Sequence, residues 1–116
     1  LCMVNLSDFD GVYGHTRDVE GYGRAIEELD VEIPIILNKL DTGDLLIITA
    51  DHGNDPTFPG TDHTRENVPV IIYSRDFLKP RRLEAFDTFA NIGATIADNF
   101  DVEIPPIGKS ILDELE

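Results

Sequence analysis

Two patterns of hydrophobic and polar positions occur along this chain: short continuous apolar runs, and longer stretches in which apolar residues recur every three or four positions. The runs 1–6, 45–50 and 68–73 have the length and continuous hydrophobicity of parallel strands that are buried on both faces. Pro69 should occupy the start of the third strand, where no ladder hydrogen bond is needed. The pattern therefore predicts three buried strands.

The periodic stretches predict helices. One begins near Asp18, which we expect to be its N-cap, and carries apolar residues at helical spacing through Leu29. Pro34 should kink this helix or start a second segment, because its ring clashes with the preceding turn. A last helix is expected over 87–99. The order strand, helix, strand, strand, helix predicts an α/β fold with a partial, mostly parallel sheet flanked by helices and at least one right-handed crossover.

Composition narrows the classes of function. With 116 residues the chain is one domain or part of one, and a hydrophobic share of 41% is ordinary for a globular protein. The net charge of −14 argues against nucleic acid or an anionic membrane as a partner, because both require basic patches. No apolar run approaches the roughly 20 residues that span a bilayer. Since Cys2 is the single cysteine, we expect no disulfide and a cytoplasmic location.

The first residues carry a separate expectation. The chain opens directly on the apolar run 1–6, without an initiating methionine or a polar leader. A natural terminus rarely begins within a strand. We therefore expect residues 1–116 to be the C-terminal piece of a longer protein.

Each of the three histidines lies within five residues of an aspartate, in a short polar stretch, and two of these stretches contain glycine. Two of these stretches follow the first two predicted strands, and the third lies in the loop that returns to the third strand. Ligands of open α/β sheets bind beyond the carboxyl ends of the strands, so the three stretches can meet at one edge. Imidazole nitrogens and carboxylate oxygens are ligands of divalent metals. The candidate ligands are Asp10, His15, Asp51, His52 and His63.

The number of ligands favours two ions over one. Five ligands exceed what one tetrahedral ion takes when a position must stay open for substrate. Two ions about 3.5–4 Å apart that clamp a phosphoryl group fit better. Gly53 should let the backbone turn sharply, so that Asp51 and His52 can aim at one point. The absence of thiolates argues against a structural zinc site and permits manganese.

The flanks of these stretches resemble a known family. The segment 49–57, Thr-Ala-Asp-His-Gly-Asn-Asp-Pro-Thr, is followed by Gly-Thr-Asp-His-Thr-Arg-Glu at 60–66 and by Val-Pro at 68–69. Together with Asn-Leu-Ser-Asp-Phe-Asp at 5–10 and Tyr-Gly-His at 13–15, they resemble the phosphopentomutases of the alkaline phosphatase superfamily. The Asp-His-Gly-Asn core is shared with cofactor-independent phosphoglycerate mutases, whereas the extension through Thr-Arg-Glu is more specific to pentomutases.

The resemblance implies a division of the ligands. Asp10, His15 and His63 would bind one Mn²⁺ ion, while Asp51 and His52 would belong to a second. In the family, a threonine nucleophile and one further aspartate come from the N-terminal part, and a separate cap domain supplies most substrate contacts. The chain would then be the C-terminal part of the metal-binding core, with no catalytic nucleophile of its own. Alone it should be inactive and bind metal weakly.

The resemblance also implies a reaction. The family is an isomerase that moves phosphate between C1 and C5 of ribose or deoxyribose through a phosphothreonine. The expected partners are therefore a phosphorylated pentose and the rest of the same polypeptide. Asp8 and Asp62 are candidates to orient ligand histidines or to cap turns, and Arg65 to pair with phosphate or with Glu66. Two alternatives stay open: another two-metal member such as a phosphoglycerate mutase, and a non-catalytic acidic interaction domain that retains the metal loops.

Overall fold

The computed structural model describes residues 1–115, and the chain divides into two compact units, Leu1–Arg75 and Asp76–Glu116. It is mixed α/β: its regular elements are helices and one small sheet of two antiparallel strands. Across residues 1–115, no helix has both the length and the apolar composition needed to cross a membrane.

The first unit contains a π-helical turn, Phe9–Gly14, and the long helix α1, Val19–Lys39. Asp18 is the N-cap of α1, as predicted, and its carboxylate accepts a hydrogen bond from the backbone N–H of Gly21 at 2.8 Å. Pro34 lies inside α1 and no second segment begins there. Proline removes one backbone hydrogen bond, a loss that the 21-residue helix tolerates.

The sheet of the first unit consists of β1, Leu46–Thr49, and β2, Val70–Tyr73. The two strands pair antiparallel, with Leu46 opposite Tyr73 and Thr49 opposite Val70. Two parallel strands would need a crossover connection that returns the chain to the end of the sheet where the first strand began. Here the loop between β1 and β2 folds back on itself, so the two strands run in opposite directions. The predicted parallel sheet is therefore not present in residues 1–115, although Pro69 does immediately precede β2.

Residues 1–6, predicted to be a buried strand, form no strand and are exposed. Met3 is 90% exposed. A strand needs a neighbour for its backbone N–H and C=O groups, and within residues 1–115 this run has none. Apolar composition alone was thus insufficient to make it a strand.

The second unit contains helix α2, Ala90–Asn99, and a 3₁₀ turn, Leu112–Glu114. The helix predicted over 87–99 thus starts three residues later. The buried hydrophobic residues of the described chain all belong to this unit: Ala94, Ala97 and Ile111. Thr95 is 1% exposed, and its hydroxyl donates to the carbonyl of Asn91 at 2.7 Å and accepts from the backbone N–H of Ile111 at 3.1 Å. These bonds attach the C-terminal segment to α2.

Candidate metal centre

The π-helical turn places Asp10 beside His15. Its backbone bonds span five residues: the N–H of His15 donates to the carbonyl of Asp10 at 2.9 Å, and that of Asp18 to the carbonyl of Tyr13 at 3.0 Å. This wider turn brings the two side chains to the same side of the backbone, and single π-helical turns are frequent at functional sites. His15 Nε2 lies 3.4 Å from Asp10 Oδ2.

The loop between β1 and β2 brings His52 and His63 together. Its two sides are joined by an antiparallel bridge in which the N–H of Thr64 donates to the carbonyl of Gly53 at 3.3 Å. As a result the two imidazole rings stack, with centroids 3.9 Å apart and planes inclined by 25°.

Gly53 permits this bridge through its small size. A Cβ atom there would lie 2.8 Å from the carbonyl oxygen of Thr64 and 2.7 Å from Cβ of Glu66. The φ angle of Gly53 is outside the left-handed region, which among the described glycines only Gly43, Gly60 and Gly108 occupy. The glycine predicted to allow a sharp turn instead allows two segments to approach closely.

Donor atoms of Asp10, His15 and His63 lie close to one another. His63 Nε2 lies 3.3 Å from Asp10 Oδ1, and the Nε2 atoms of His15 and His63 are 3.2 Å apart. Two donors that are each about 2.1 Å from a tetrahedral ion are about 3.4 Å apart, so these separations suit a shared cation. Two unprotonated imidazole nitrogens that face each other repel unless a proton or a metal ion lies between them. The donor set therefore fits a divalent metal.

His52 lies within the same group. One donor atom each from Asp10, His52 and His63 falls within 4.8 Å of the other two. Asp51 is more peripheral: its side chain is mostly exposed, and its carboxylate lies 3.8 Å from His52 Nε2. The structure thus gathers all five candidate ligands in one region, and it places His52 close to the set that the resemblance assigned to the other ion.

Backbone carbonyls orient two of the histidines. His15 Nδ1 makes a short contact with the carbonyl oxygen of Thr61, and His52 Nδ1 lies 3.2 Å from that of Gly53. A ring N–H donated to such a carbonyl leaves Nε2 available as a metal ligand. Within the described chain, the side chains of Asp8, Asp62 and Arg65 make no hydrogen bond or ion pair with the histidines.

Asn54 is a site residue that the sequence analysis did not identify. It is 8% exposed, and its Nδ2 donates to Asp10 Oδ1 at 2.7 Å. This hydrogen bond is the main reason why the pKa of Asp10 lies below its ordinary value; burial opposes the effect and the neighbouring histidines assist it. Gly14 allows the approach, because a Cβ there would lie 2.5 Å from Asn54 Nδ2. The signal in the sequence was Asn54 itself, inside the Asp-His-Gly-Asn motif.

Arg17 is the second site residue that sequence reasoning missed. Its guanidinium reaches across to the loop between β1 and β2, where it donates to the carbonyls of Asp55, Gly60 and Asp62 and to Asn54 Oδ1. It also donates to the carbonyl of Gly14 at 2.9 Å. Its backbone φ of 59° lies in the left-handed region, which residues other than glycine rarely adopt.

Comparison with known protein families agrees with this chemistry. Residues 1–104 match the Metalloenzyme superfamily, so the match includes the three histidine-containing stretches, α1 and both strands. Membership in that group supports a metal-dependent enzyme with a fold of the phosphoryl-transfer type. Because the match covers most of its length, the chain belongs to the Metalloenzyme superfamily of alkaline-phosphatase-like proteins.

Proposed function

We propose that this chain is the C-terminal, metal-binding part of a phosphopentomutase core. In the complete polypeptide it would serve the interconversion of ribose or deoxyribose 1-phosphate and 5-phosphate. The observation that carries the proposal is the convergence of Asp10, His15 and His63, whose donor atoms lie 3.2–3.4 Å apart although they come from two distant parts of the chain. Superfamily membership supports the metal-dependent enzyme, and the loop flanks support the pentomutase.

Residues of the pentomutase-like flanks shape the loop that carries His63. Asp55 Oδ1 accepts hydrogen bonds from the N–H and the hydroxyl of Thr57, both at 2.8 Å. The hydroxyl of Thr64 accepts from the N–H of Asp55 at 2.6 Å. The Thr57 and Thr64 hydroxyls are thus occupied within the loop, which supports a nucleophile located elsewhere in the polypeptide.

The donor set supports manganese as the metal. Asp10, His15 and His63 would hold one ion, and Asp51 and His52 would contribute to a second. Nitrogen and oxygen ligands without thiolate suit Mn²⁺. The chemistry that such ions supply when bound is a lower pKa for the attacking hydroxyl and neutralisation of charge on the transferred phosphoryl group. The chain's own contribution is to fix the ligands through the His15–Thr61 and Asn54–Asp10 contacts.

Exposed apolar surface supports the rest of the polypeptide as a partner. In the first unit, Leu1, Met3, Val4 and Leu6 are all more than half exposed, and no hydrophobic side chain of that unit is fully buried. Such surface is normally covered in a stable protein. We propose that other segments cover it, add strands to the two-stranded sheet and supply the threonine nucleophile with the remaining aspartate.

The test is an activity assay on the complete polypeptide with Mn²⁺, using ³¹P NMR to follow ribose 1-phosphate and ribose 5-phosphate. We expect interconversion by the wild type and a loss of at least about 100-fold in Asp10→Asn and His63→Gln, because each removes a ligand. Arg24→Ala is the matched control, since Arg24 lies on α1 and, among residues 1–115, forms its ion pair with the exposed Glu20. Residues 1–116 alone should show no interconversion.

Two outcomes would contradict the proposal. Interconversion of 2- and 3-phosphoglycerate in place of the pentose phosphates would assign the chain to the other mutase family. Metal binding by the complete protein without activity on either substrate pair would identify it as a non-catalytic metal-binding interaction domain.

A further inference from the structure

We propose that Arg17 is a positioning residue of the metal centre. Through Asn54, its guanidinium supports the hydrogen bond to Asp10, and through backbone carbonyls it holds the loop that carries His63. This inference rests on the metal centre of the proposed function.

Arg17 is bound almost entirely by main-chain oxygens. Nε donates to the carbonyl of Gly60 and Nη2 to that of Asp62, both at 2.5 Å, while Nη1 reaches the carbonyl of Asp55 at 3.1 Å. No carboxylate accepts a hydrogen bond from Arg17 in the described part of the chain. The planar guanidinium presents five N–H donors in a fixed fork, so its contacts specify the position of the loop backbone.

The contact with Asn54 has a direction. Arg17 can only donate, so the amide of Asn54 must turn its oxygen toward Nη1, 2.5 Å away. The amide nitrogen then faces Asp10 Oδ1 at 2.7 Å. A rotated amide would turn its oxygen toward the carboxylate and be repelled, so Arg17 and Asp10 favour the same orientation of Asn54 from opposite sides. Without Arg17, Asp10 alone would hold the amide, and the hydrogen bond to the metal ligand would be less firmly fixed.

These contacts also distinguish Arg17 from an arginine that binds substrate phosphate. Nε and both Nη atoms are directed at oxygens of the chain itself. A phosphate ligand would have to displace them and release the loop. The arrangement thus favours support of the metal ligands over direct contact with substrate.

The backbone at position 17 provides a clean way to remove the side chain. Its φ of 59° is a conformation that glycine adopts readily and alanine does not. Arg17→Gly should therefore delete the guanidinium without adding backbone strain. Arg17→Lys keeps the positive charge but lacks the fork, and Arg24→Ala removes one exposed positive charge from α1.

The experiment measures the Mn²⁺ affinity of the complete polypeptide by the loss of the free-ion electron paramagnetic resonance signal, with circular dichroism to verify that each variant is folded. We expect Arg17→Gly to weaken Mn²⁺ binding about 10- to 100-fold, the range typical for residues that orient metal ligands. Arg17→Lys should recover only part of this loss, and Arg24→Ala should bind like the wild type. Millimolar guanidinium should partly restore Mn²⁺ affinity to Arg17→Gly, whereas ammonium should not.

A second readout follows Asn54 directly. The ¹⁵N chemical shift of its side-chain amide should move in Arg17→Gly even without metal, because the hydrogen bond from Arg17 to the amide oxygen is lost.

Equal Mn²⁺ affinity in wild type and Arg17→Gly would overturn the positioning role and leave the metal centre intact. Full recovery in Arg17→Lys would also overturn it, since charge alone would then suffice. Absence of Mn²⁺ binding by the wild type, even at millimolar concentration, would instead overturn the metal centre, and this inference with it.

Discussion

Substitution of Gly53 by alanine tests whether close packing of the loop backbone builds the metal centre. The added Cβ would lie 2.8 Å from the N–H nitrogen of Glu66 and 2.8 Å from the carbonyl oxygen of Thr64. Both atoms belong to the backbone, so rotation of a side chain cannot relieve the contact. Ordinary contact begins at 3.4 Å, so the two sides of the loop must separate by several tenths of an ångström.

The expected cost follows from two opposing effects. Overpacking of this kind typically destabilises a protein by about 1–3 kcal/mol. Replacing glycine lowers the entropy of the unfolded chain, which returns about 0.4–1 kcal/mol when the conformation is compatible. We therefore expect the free energy of unfolding of Gly53→Ala to fall by about 1–2 kcal/mol. Because His52 and His63 flank this bridge, Mn²⁺ affinity should fall as well.

Urea denaturation, together with a Mn²⁺ titration, measures both quantities. Gly23→Ala is the matched control: it makes the same chemical change inside α1, where a Cβ would meet nothing within 4 Å. This control should be more stable than the wild type by about 0.8–1.0 kcal/mol, because alanine is the better helix former. A Gly53→Ala variant with wild-type stability and wild-type Mn²⁺ affinity would refute the reasoning.

Three further substitutions test individual hydrogen bonds. Asp18→Ala removes the N-cap of α1 and should lower the free energy of unfolding by about 1 kcal/mol, measured by thermal denaturation. Thr57→Val removes a hydroxyl that donates to Asp55, so the pKa of that carboxyl should rise toward its ordinary value, as measured by ¹³C NMR of the carboxyl carbon. Thr95→Val leaves the buried N–H of Ile111 without an acceptor and should cost about 1–3 kcal/mol in urea denaturation.

The sign of the Asp55 effect follows from its cause. The N–H of Thr57, and then its hydroxyl, hold the pKa of Asp55 below its ordinary value in the folded chain. The resulting stabilisation is fully present above the ordinary pKa and is lost as the pH falls through the lower, folded value. Thr57→Val keeps the N–H, so only part of the pKa shift should disappear. An unchanged pKa of Asp55 would show that the hydroxyl contributes nothing. Asn54 serves as an internal reference, because the chemical shift of its side-chain amide should not change.

Local features of the fold could be predicted from the sequence, whereas the pairing of its strands could not. The N-cap at Asp18 and the position of Pro69 before β2 depend on nearby residues, and the structure confirms both. The direction of pairing between β1 and β2 depends on how the intervening loop folds, which periodicity does not encode. The run 1–6 shows the same limit, because a strand requires a partner that its own sequence does not specify.

The residues of the candidate site also fall into two groups, those that the sequence could predict and those that it could not. The side chains of histidine and aspartate carry atoms that bind metal ions, so the five candidate ligands could be proposed from the sequence alone. Arg17 and Asn54 act through geometry: one binds backbone carbonyls, and the other is useful only because Gly14 lets it approach Asp10. Residues of these types have many ordinary roles in loops, so the place of Asn54 inside the Asp-His-Gly-Asn motif marked its position without revealing its contact with Asp10.

His15 and Arg17 contact backbone carbonyl oxygens of the loop, and this has a consequence for sequence divergence. A carbonyl oxygen is present at every position, so neither side chain depends on which amino acid supplies it at 61 or 62. These positions can therefore change over evolutionary time without disturbing the scaffold, provided that the loop keeps its path. Gly60 is the exception, since its φ of 91° restricts replacement even though only its carbonyl is bound. Distant relatives with this geometry are better sought through their glycines, arginine and ligands than through overall similarity of the loop.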